Sequence, residues 1–265
     1  MDEIVYSRII SVPKASGGET ARLSVTAGAD SPLFPSSGLS SDQLVHWISC
    51  YLETFKDSLE SLPGRIIGYL AERIPATRWE AEIHLGMPEG ERCLLRSVRR
   101  FHGVVLALGS NVGKREENLT SAVQKLTEAE GFFCDRFSSL YESAPAGYTA
   151  QGPFINMALL GRTALSPRAL LDTVKEIEAE MGRTWSKRNR PRPIDIDIIY
   201  YDREILREES LQIPHRERLK RDFVLLPLTE LLGEFRDPET GVKIEAGPGK
   251  GIGRIKSWGD VWKND

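Results

Sequence analysis

Asp195 and Asp197 lie two residues apart in the apolar segment Ile194-Asp195-Ile196-Asp197-Ile198. On an extended strand both carboxylates point to one face, and the isoleucines fill the other. At a rise of about 3.3 Å per residue the two acids lie roughly 6.5 Å apart along the backbone. At an effective dielectric constant of 20 their charges repel by about 2–3 kcal/mol, a cost that a purely structural strand would avoid. The pair therefore predicts a cation site, and hard oxygen ligands without a nearby His or Cys favour magnesium over zinc.

A dense basic run precedes the two acids. Five cationic residues fall within ten positions: Arg183, Lys187, Arg188, Arg190 and Arg192. Arginine presents a planar fork that matches phosphate oxygens, so the run favours a polyphosphate clamp, although a solvated loop that balances nearby acids has the same composition. Carboxylates, magnesium and arginines together are the components of transfer at a phosphorus centre. No P-loop or dinucleotide-binding glycine motif is present in the sequence.

The composition excludes several classes of protein. The 265 residues are enough for two domains, and 40% hydrophobic with 28% charged residues is ordinary for a globular chain. A net charge of −3 argues against a nucleic-acid partner. Three scattered cysteines without C-x-x-C spacing argue against a disulfide framework. No apolar run approaches the length of a membrane span and the N-terminus lacks a basic region, so we expect no membrane partner and a cytoplasmic location.

The sequence predicts two structural units, and the acidic strand with its basic run lies in the second. In the first, over 1–101, residues 15–41 are rich in Gly, Ser, Pro and Ala and predict a long loop or two turns. The predicted elements of this unit are a helix capped by Ser41-Asp42, a second helix from Pro63 to Ile74, and a pair of strands over 79–85 and 92–100. We therefore expect a small α+β unit.

The second unit, over 102–265, contains the acidic strand. Its predicted elements are a strand over 104–108, a helix with Leu119 and Val123 on one face, strands at 136–142 and 154–163, a helix begun by Ser166 and Pro167, the acidic strand, and a mainly helical stretch from His215 to Leu232. The order βαββαβα is that of a ferredoxin-like α+β sandwich. The tail after Asp237 gives no clear prediction.

Several motifs in this unit occur together and in order. They are Ala107-Leu108-Gly109-Ser110-Asn111, 138–145 (SSLYESAP), 154–158 (FINMA), 177–183 (IEAEMGR), 192–197 (RPIDID) and 213–215 (IPH). With these motifs the chain resembles 6-hydroxymethyl-7,8-dihydropterin pyrophosphokinase of folate biosynthesis, over about residues 104–235. The resemblance implies transfer of pyrophosphate from ATP to the hydroxymethyl group of the pterin, with release of AMP and two magnesium ions.

The resemblance also implies roles for individual residues. The metal ions would be held by Asp195 and Asp197, which together with Arg183 and Arg192 would form the catalytic set. The residues that would contact ATP are Glu178, Arg183, Arg192, His215 and Arg221. The pterin would lie among Ser143, Ala144, Ala146, Phe154, Asn156 and Phe223. Trp185 stands where many members of this family have a second arginine, so one phosphate contact is in doubt there.

Residues 1–101 resemble, more faintly, the dihydroneopterin aldolase family, which has a tunnelling fold. The catalytic acid of that family falls at Gly68 in this sequence, and its lysine falls at Met87. Retro-aldol chemistry lacks its acid–base groups without these two side chains. We therefore expect a degenerate aldolase-like domain that supports a homo-oligomer.

Alternative functions remain at this point. One is a bifunctional enzyme with residual aldolase activity in the first unit. Another is a magnesium-dependent phosphohydrolase that uses Asp195 and Asp197, although no additional His or Glu ligand lies nearby in the sequence. A third is a nucleic-acid-binding module that uses the basic run, which the net charge disfavours.

Overall fold

The computed structural model describes residues 3–11, 20–28, 33, 40–57, 59–87, 90–145, 150–183, 191–246, 249 and 251–262. The chain divides into two compact units, Met1–His102 and Gly103–Asp265. Among the described residues, no helix is long and apolar enough to cross a membrane.

The N-terminal unit is an antiparallel sheet covered by helices. Its elements are β1 (Glu3–Ser11), β2 (Thr20–Gly28), α1 (Ser41–Thr54), a 3-10 turn (Leu59–Ser61), α2 (Leu62–Ala71), β3 (Arg78–Met87) and β4 (Gly90–Arg100). The strands pair in the order β1-β2-β3-β4, and α2 packs on β3 and β4. Alternate strand residues such as Leu23, Val25 and Trp79 are fully buried, as are Ile66 and Ile67 of α2. The apolar face of each element therefore supplies one core.

Three predictions for this unit need correction. Residues 15–41 were expected to form a long loop or two turns, but β2 occupies Thr20–Gly28. Leu23, Val25 and Ala27 alternate there with polar residues, as in a half-buried strand. The pattern is short and lies among Gly and Ser residues, so the composition of the segment favoured a loop. Helix α1 is capped by Ser40, whose hydroxyl accepts a hydrogen bond from the Gln43 amide, and not by Ser41-Asp42. Helix α2 ends at Ala71, before Ile74.

The C-terminal unit is built on a six-stranded sheet within the described residues. Its larger elements are β5 (His102–Ser110), α3 (Arg115–Glu128), β6 (Phe132–Phe137), β7 (Leu140–Ser143), β8 (Phe154–Thr163), α4 (Pro167–Glu180) and β9 (Asp195–Tyr201). They are followed by β10 (Leu206–Arg207), β11 (Gln212–Ile213), α5 (Asp222–Leu232), β12 (Ile252–Lys256) and α6 (Trp258–Trp262). The strand order is β12-β7-β8-β5-β9, and β6 also pairs with β8. This content confirms the predicted α+β class.

One large core joins the helices to this sheet. Residues from α3 and α4, such as Leu119, Val123 and Val174, pack with Leu106 of β5 and Ile196 of β9. The predicted start of α4 is confirmed, because the Ser166 hydroxyl accepts a hydrogen bond from Ala169 N and Pro167 occupies the first turn. Helix α5 packs against β8 and β7.

Three segments of the C-terminal unit differ from the sequence predictions. The strand expected at 136–142 is divided between β6 and β7. The stretch from His215 is helical only from Asp222, because residues 215–221 form a turn closed by the bond from Arg218 N to His215 O. The tail contains β12, which pairs with the edge strand β7, and Trp258, which stacks on Phe137 at 5.1 Å. These contacts join residues far apart in sequence, so local patterns do not reveal them.

Gly161 is required by the close approach of β6 and β8. A Cβ atom there would lie 2.6 Å from the carbonyl oxygen of Phe133 and 3.0 Å from the Phe132 ring. We expect Gly161→Ala to lower the free energy of unfolding by about 1–3 kcal/mol, because both neighbours are fixed in the core. Urea denaturation measures this loss. In Gly253→Ala, the matched control, the added methyl meets no atom within 4 Å, and equal urea midpoints for the two variants would contradict the argument.

Candidate active site

Strand β9 presents its two acids as the sequence predicts. Asp195 pairs with Gly109 and Asp197 with Ala107 on β5. Ile194, Ile196 and Ile198 are buried in the core on the opposite face. The small partners on β5 leave space above the acids, and both aspartates line a cavity of about 330 Å³. The strand therefore separates a structural face from a face that is open to a ligand.

This cavity brings together most of the residues predicted to bind the pterin and the phosphates. Its lining includes Ser143, Ala144, Phe154, Asn156, Arg192, Asp195, Asp197, Arg221 and Phe223. The residues come from β7, β8, β9, α5 and the loops before them. Ala146 and Trp185 lie outside the described residues, as do Lys187, Arg188 and Arg190 of the basic run. Phe223 lies beside Arg221, whose guanidinium is 5.7 Å from the ring centre.

Asn156 is fixed at the floor of the cavity. Its side-chain amide donates to Ser143 Oγ at 2.9 Å and to the Tyr141 carbonyl at 3.3 Å. The two bonds use the NH₂ group, and no donor among the described residues is bonded to Oδ1. Only 6% of Asn156 is exposed, so its orientation is set by the protein before a ligand arrives. The arrangement presents a hydrogen-bond acceptor beside the ring of Phe154.

Glu178 connects α4 to the acidic strand. The side chain is 3% exposed, and its Oε1 accepts a hydrogen bond from Ile196 N at 2.7 Å. The same oxygen contacts Arg183 Nη1, which also reaches Asp195 Oδ1 at 2.5 Å. Burial raises the pKa of Glu178, although Lys175, Ile196 N and Arg183 oppose the shift. Glu178 therefore orients Arg183 towards the site.

Arg192 has an unsatisfied donor at the site. Its Nη1 lies 3.1 Å from Asp195 Oδ1, and its backbone N–H donates to Asn111 Oδ1 at 2.9 Å. Its Nε is buried and has no hydrogen-bond partner among the described residues. Buried donors in native proteins are almost always paired, so this atom indicates that a ligand oxygen belongs there.

A second cavity, of about 240 Å³, lies on the other side of Asp197. It is lined by Leu171, Lys175, Ile196, Asp197, Ile198, Glu209, Ser210, Leu211, Gln212, His215 and Arg216. Burial lowers the pKa of His215, and the Asp197 carboxylate opposes this shift only in part. Nδ1 of His215 accepts a hydrogen bond from Glu217 N at 3.3 Å. Asp197 lines both cavities, so groups bound in them meet at this residue.

Sequence reasoning missed several lining residues. Lys175 lies one turn before Glu178 and donates to it at 2.9 Å, a relation that the i,i+3 spacing on α4 could have indicated. Gln151 and Glu217 also line the larger cavity, and Gln151 accepts a bond from the Asn111 amide at 3.0 Å. These two lie in loops without a periodic pattern, so no local signal identifies them.

Few side chains near Asp195 and Asp197 could coordinate a metal ion. Among the described residues there is no cluster of three or more His, Cys, Asp or Glu side chains placed to hold a metal ion. Magnesium is commonly bound by one or two carboxylates together with water and substrate phosphates, so two acids suffice when a polyphosphate supplies the remaining oxygens. The fold and site thus define an α+β protein with the carboxylate and arginine set of phosphorus-group transfer.

The comparisons with known proteins identify the family. Residues 105–233 match the family described as 7,8-dihydro-6-hydroxymethylpterin-pyrophosphokinase. A pyrophosphokinase of Bacillus subtilis is 39% identical over 140 residues, which are 53% of this chain and 84% of that protein. Its counterpart in Aquifex aeolicus is 41% identical over 128 residues, 48% of this chain and 79% of that protein. The chain belongs to this family, which confirms the resemblance seen in the sequence.

A longer relative is the mitochondrial folate synthesis bifunctional protein of Pisum sativum. It is 46% identical over 137 residues, which are 52% of this chain and 26% of the pea protein. The chain thus spans about a quarter of the length of that relative. All of these matches fall short of the whole chain, so family membership rests on its C-terminal unit.

Asp197 supports a prediction about stability and pH. Burial raises its pKa, and the Asp195 charge adds to this, while His215, Lys175 and Arg221 oppose it. The charged form is therefore destabilising in the folded chain. We expect Asp197→Asn to raise the thermal unfolding midpoint at pH 7, with the gain shrinking as the pH falls through the raised pKa and vanishing below the ordinary value of 3.8. Thermal unfolding from pH 3 to 8 tests this, and a gain that does not depend on pH would contradict it.

Proposed function

We propose that this chain transfers the pyrophosphoryl group of ATP to the hydroxymethyl oxygen of 6-hydroxymethyl-7,8-dihydropterin, releasing AMP, in tetrahydrofolate biosynthesis. The observation that carries the proposal is the pair of cavities that meet at Asp197. The larger cavity combines the Phe154 and Phe223 rings and the fixed amide of Asn156 with two arginines, Arg192 and Arg221. The smaller cavity is lined by Lys175, Arg216 and His215 beside the acids Asp197 and Glu209. ATP and the pterin are the proposed partners, without a nucleic acid or a membrane.

The larger cavity suits a flat heteroaromatic ring. Phe154 and Phe223 supply ring faces for stacking, and Asn156 offers its acceptor oxygen to an N–H edge of the pterin. Ser143 holds that amide in place. Ala144 lines the same cavity, and by the family resemblance Ala146 contributes to the pterin site. A ligand without hydrogen-bonding edges would leave the buried Asn156 oxygen unpaired, which favours a pterin over a plain hydrocarbon ring.

The cationic residues suit the polyphosphate. In this structure Arg183 and Arg192 both contact Asp195 Oδ1. We propose that they bind phosphate oxygens of ATP, together with Arg221 and the neutral, half-buried His215. Glu178 acts on ATP through Arg183, whose guanidinium it holds. The unpaired Nε of Arg192 supports this assignment, since a phosphate oxygen would satisfy it.

Asp195 and Asp197 fit magnesium. Two adjacent carboxylates on one strand face provide hard oxygen ligands. Burial, and then the Asp195 charge, raise the pKa of Asp197 despite the nearby cations, so a bound cation would stabilise its charged form. We propose two Mg²⁺ ions at this pair. When bound, magnesium neutralises the charge that develops on the transferred group. The residues around it orient both substrates, and this positioning supplies the catalysis in the absence of an obvious general base.

The strand order supports a finer proposal about the fold. We propose that the C-terminal unit is a ferredoxin-like sandwich, supported by the arrangement β9-β5-β8-β6 with α3 and α4 packed in one core. The N-terminal unit, with four antiparallel strands and two helices, supports a tunnelling-type domain over 1–101. Its outer strands β1 and β4 are open to pairing in the described part of the chain, which supports a homo-oligomer. A cytoplasmic location remains our proposal.

An assay of AMP release tests the function directly. Purified protein with ATP, magnesium and 6-hydroxymethyl-7,8-dihydropterin should release AMP and form the pterin diphosphate. Asp195→Ala should lower kcat by at least about a thousandfold, because the metal-held charge stabilisation is worth several kcal/mol. The matched control is Asp172→Asn, an exposed acid on α4, which should retain the wild-type rate. Release of ADP, or turnover by Asp195→Ala at the wild-type rate, would refute the proposal.

The N-terminal unit is proposed to be a degenerate aldolase-like domain. Gly68, at the position of the family's acid, lies within α2, where a Cβ atom would meet nothing within 4 Å. Met87, at the position of the lysine, is the last residue of β3. Neither residue can carry a proton, and the bifunctional alternative with residual aldolase activity requires other acid–base groups.

Dihydroneopterin incubated with the full chain should therefore give no glycolaldehyde above the background without protein. A coupled glycolaldehyde assay checks this. The double variant Gly68→Glu with Met87→Lys tests whether restoring the two side chains restores activity, and AMP release by the C-terminal unit serves as the control for folding. Glycolaldehyde formation by the wild-type chain would overturn the assignment of degeneracy.

A further inference from the structure

The tail beyond the family match contains a buried acid, Asp237. The match ends at residue 233, and Asp237 is 1% exposed. Arg218, which is 4% exposed, donates Nε to Asp237 Oδ2 at 2.5 Å and Nη2 to Oδ1 at 2.7 Å. The result is a bidentate ion pair that joins the turn before α5 to the tail.

The environment fixes this carboxylate firmly. Tyr200 OH donates to Oδ2 at 2.9 Å, and Thr240 N and Oγ1 donate to Oδ1 at 2.9 and 3.0 Å. Burial alone would raise the pKa of Asp237, but Arg218 and these donors outweigh it and lower the pKa to about 2. The pair therefore stays charged at neutral pH.

Arg218 also holds the turn that carries residues of both cavities. Its Nη1 and its backbone N–H each donate to the carbonyl oxygen of His215 at 3.1 Å. His215 N in turn donates to Ile199 O on β9 at 3.0 Å. The side chain of His215 lines the smaller cavity, and Glu217 and Arg221 line the larger one. Both backbone groups of His215 are thus fixed between β9 and the arginine.

A buried ion pair contributes little net stability to a fold, because both charges lose their hydration. Removing two charges from water costs as much as their attraction returns, and apolar side chains of similar volume often stabilise the fold as well or better. Apolar side chains could not donate to the His215 carbonyl. Compared with an apolar pair, the charged pair adds the hydrogen bond from Arg218 Nη1 to the His215 carbonyl oxygen.

We propose that Arg218 and Asp237 are positioning residues that hold the 215–221 turn in place for nucleotide binding. The tail after residue 233 is thereby part of the binding machinery. The inference rests on the proposed function, because it takes the ligand of the smaller cavity to be the nucleotide.

The test separates positioning from stability. The double variant Arg218→Met with Asp237→Leu removes both charges together, so that neither is left unpaired in the interior. Its affinity for a non-hydrolysable ATP analogue with magnesium should fall by about tenfold, in the range found when supporting residues of a site are lost. Its affinity for the pterin, measured without nucleotide, should fall less, because Asn156 and Phe154 lie on β8.

The matched control is a second buried ion pair of this unit. Arg162 and Asp135, 2% and 12% exposed, contact at 2.8 Å between β6 and β8. Asp135→Asn should lower the thermal midpoint and leave nucleotide affinity unchanged. Wild-type affinity in the double variant, or an equal loss of affinity in Asp135→Asn, would overturn the proposal.

Hydrogen exchange gives a readout that needs no ligand. Amides within 215–221 should exchange faster in Asp237→Asn than in the wild type, and those in Asp135→Asn should not. Unchanged exchange in Asp237→Asn would refute the positioning role even if the wild type transfers pyrophosphate. Absence of AMP release by the wild type would instead refute the proposed function, so the two failures are distinguishable.

Discussion

Repulsion between Asp195 and Asp197 is the constraint on which the rest of the site depends. Because Ile194, Ile196 and Ile198 are buried in the core, both acids stay on the same face of the strand. Arg183 and Arg192 lie against Asp195, and Glu178 binds Arg183 as well as the strand backbone. Under the proposed function, metal ions and a polyphosphate would balance the remaining negative charge.

Some residues of the site face the cavities, and others hold those residues in place. Asn156 is ready to accept a hydrogen bond because Ser143 and the Tyr141 carbonyl occupy its donors. Arg183 is aimed by a buried glutamate, and His215 by backbone bonds on both sides. Side chains held in this way would lose little conformational entropy on binding the proposed substrates, which leaves more of the binding energy for the reaction.

The sequence predicted the structure correctly in short segments where a characteristic residue pattern and the hydrophobic periodicity agree. Alternation around Asp195 predicted which face is buried, and Ser166 with Pro167 predicted the start of α4. Strand β2 was missed because small polar residues surround its alternating Leu23, Val25 and Ala27. Glu217 and the Arg218–Asp237 pair were missed because only the fold brings their surroundings together, whereas the i,i+3 spacing of Lys175 and Glu178 on α4 was an available local signal. Roles inferred through the family resemblance reached residues such as Phe223, whose type alone is equally typical of a core.

Asp197 has one more consequence, since a single carboxylate forms part of the wall of both cavities. Any ligand that changes the charge or solvation of this group alters the free energy of binding in the neighbouring cavity. Thermodynamic linkage makes that effect reciprocal, so ligands in the two cavities change each other's affinity by the same factor. Under the proposed function, a magnesium-bearing nucleotide would partly neutralise Asp197 and lower the cost of placing an uncharged ring beside it. The shared wall would then couple the binding of the two proposed substrates.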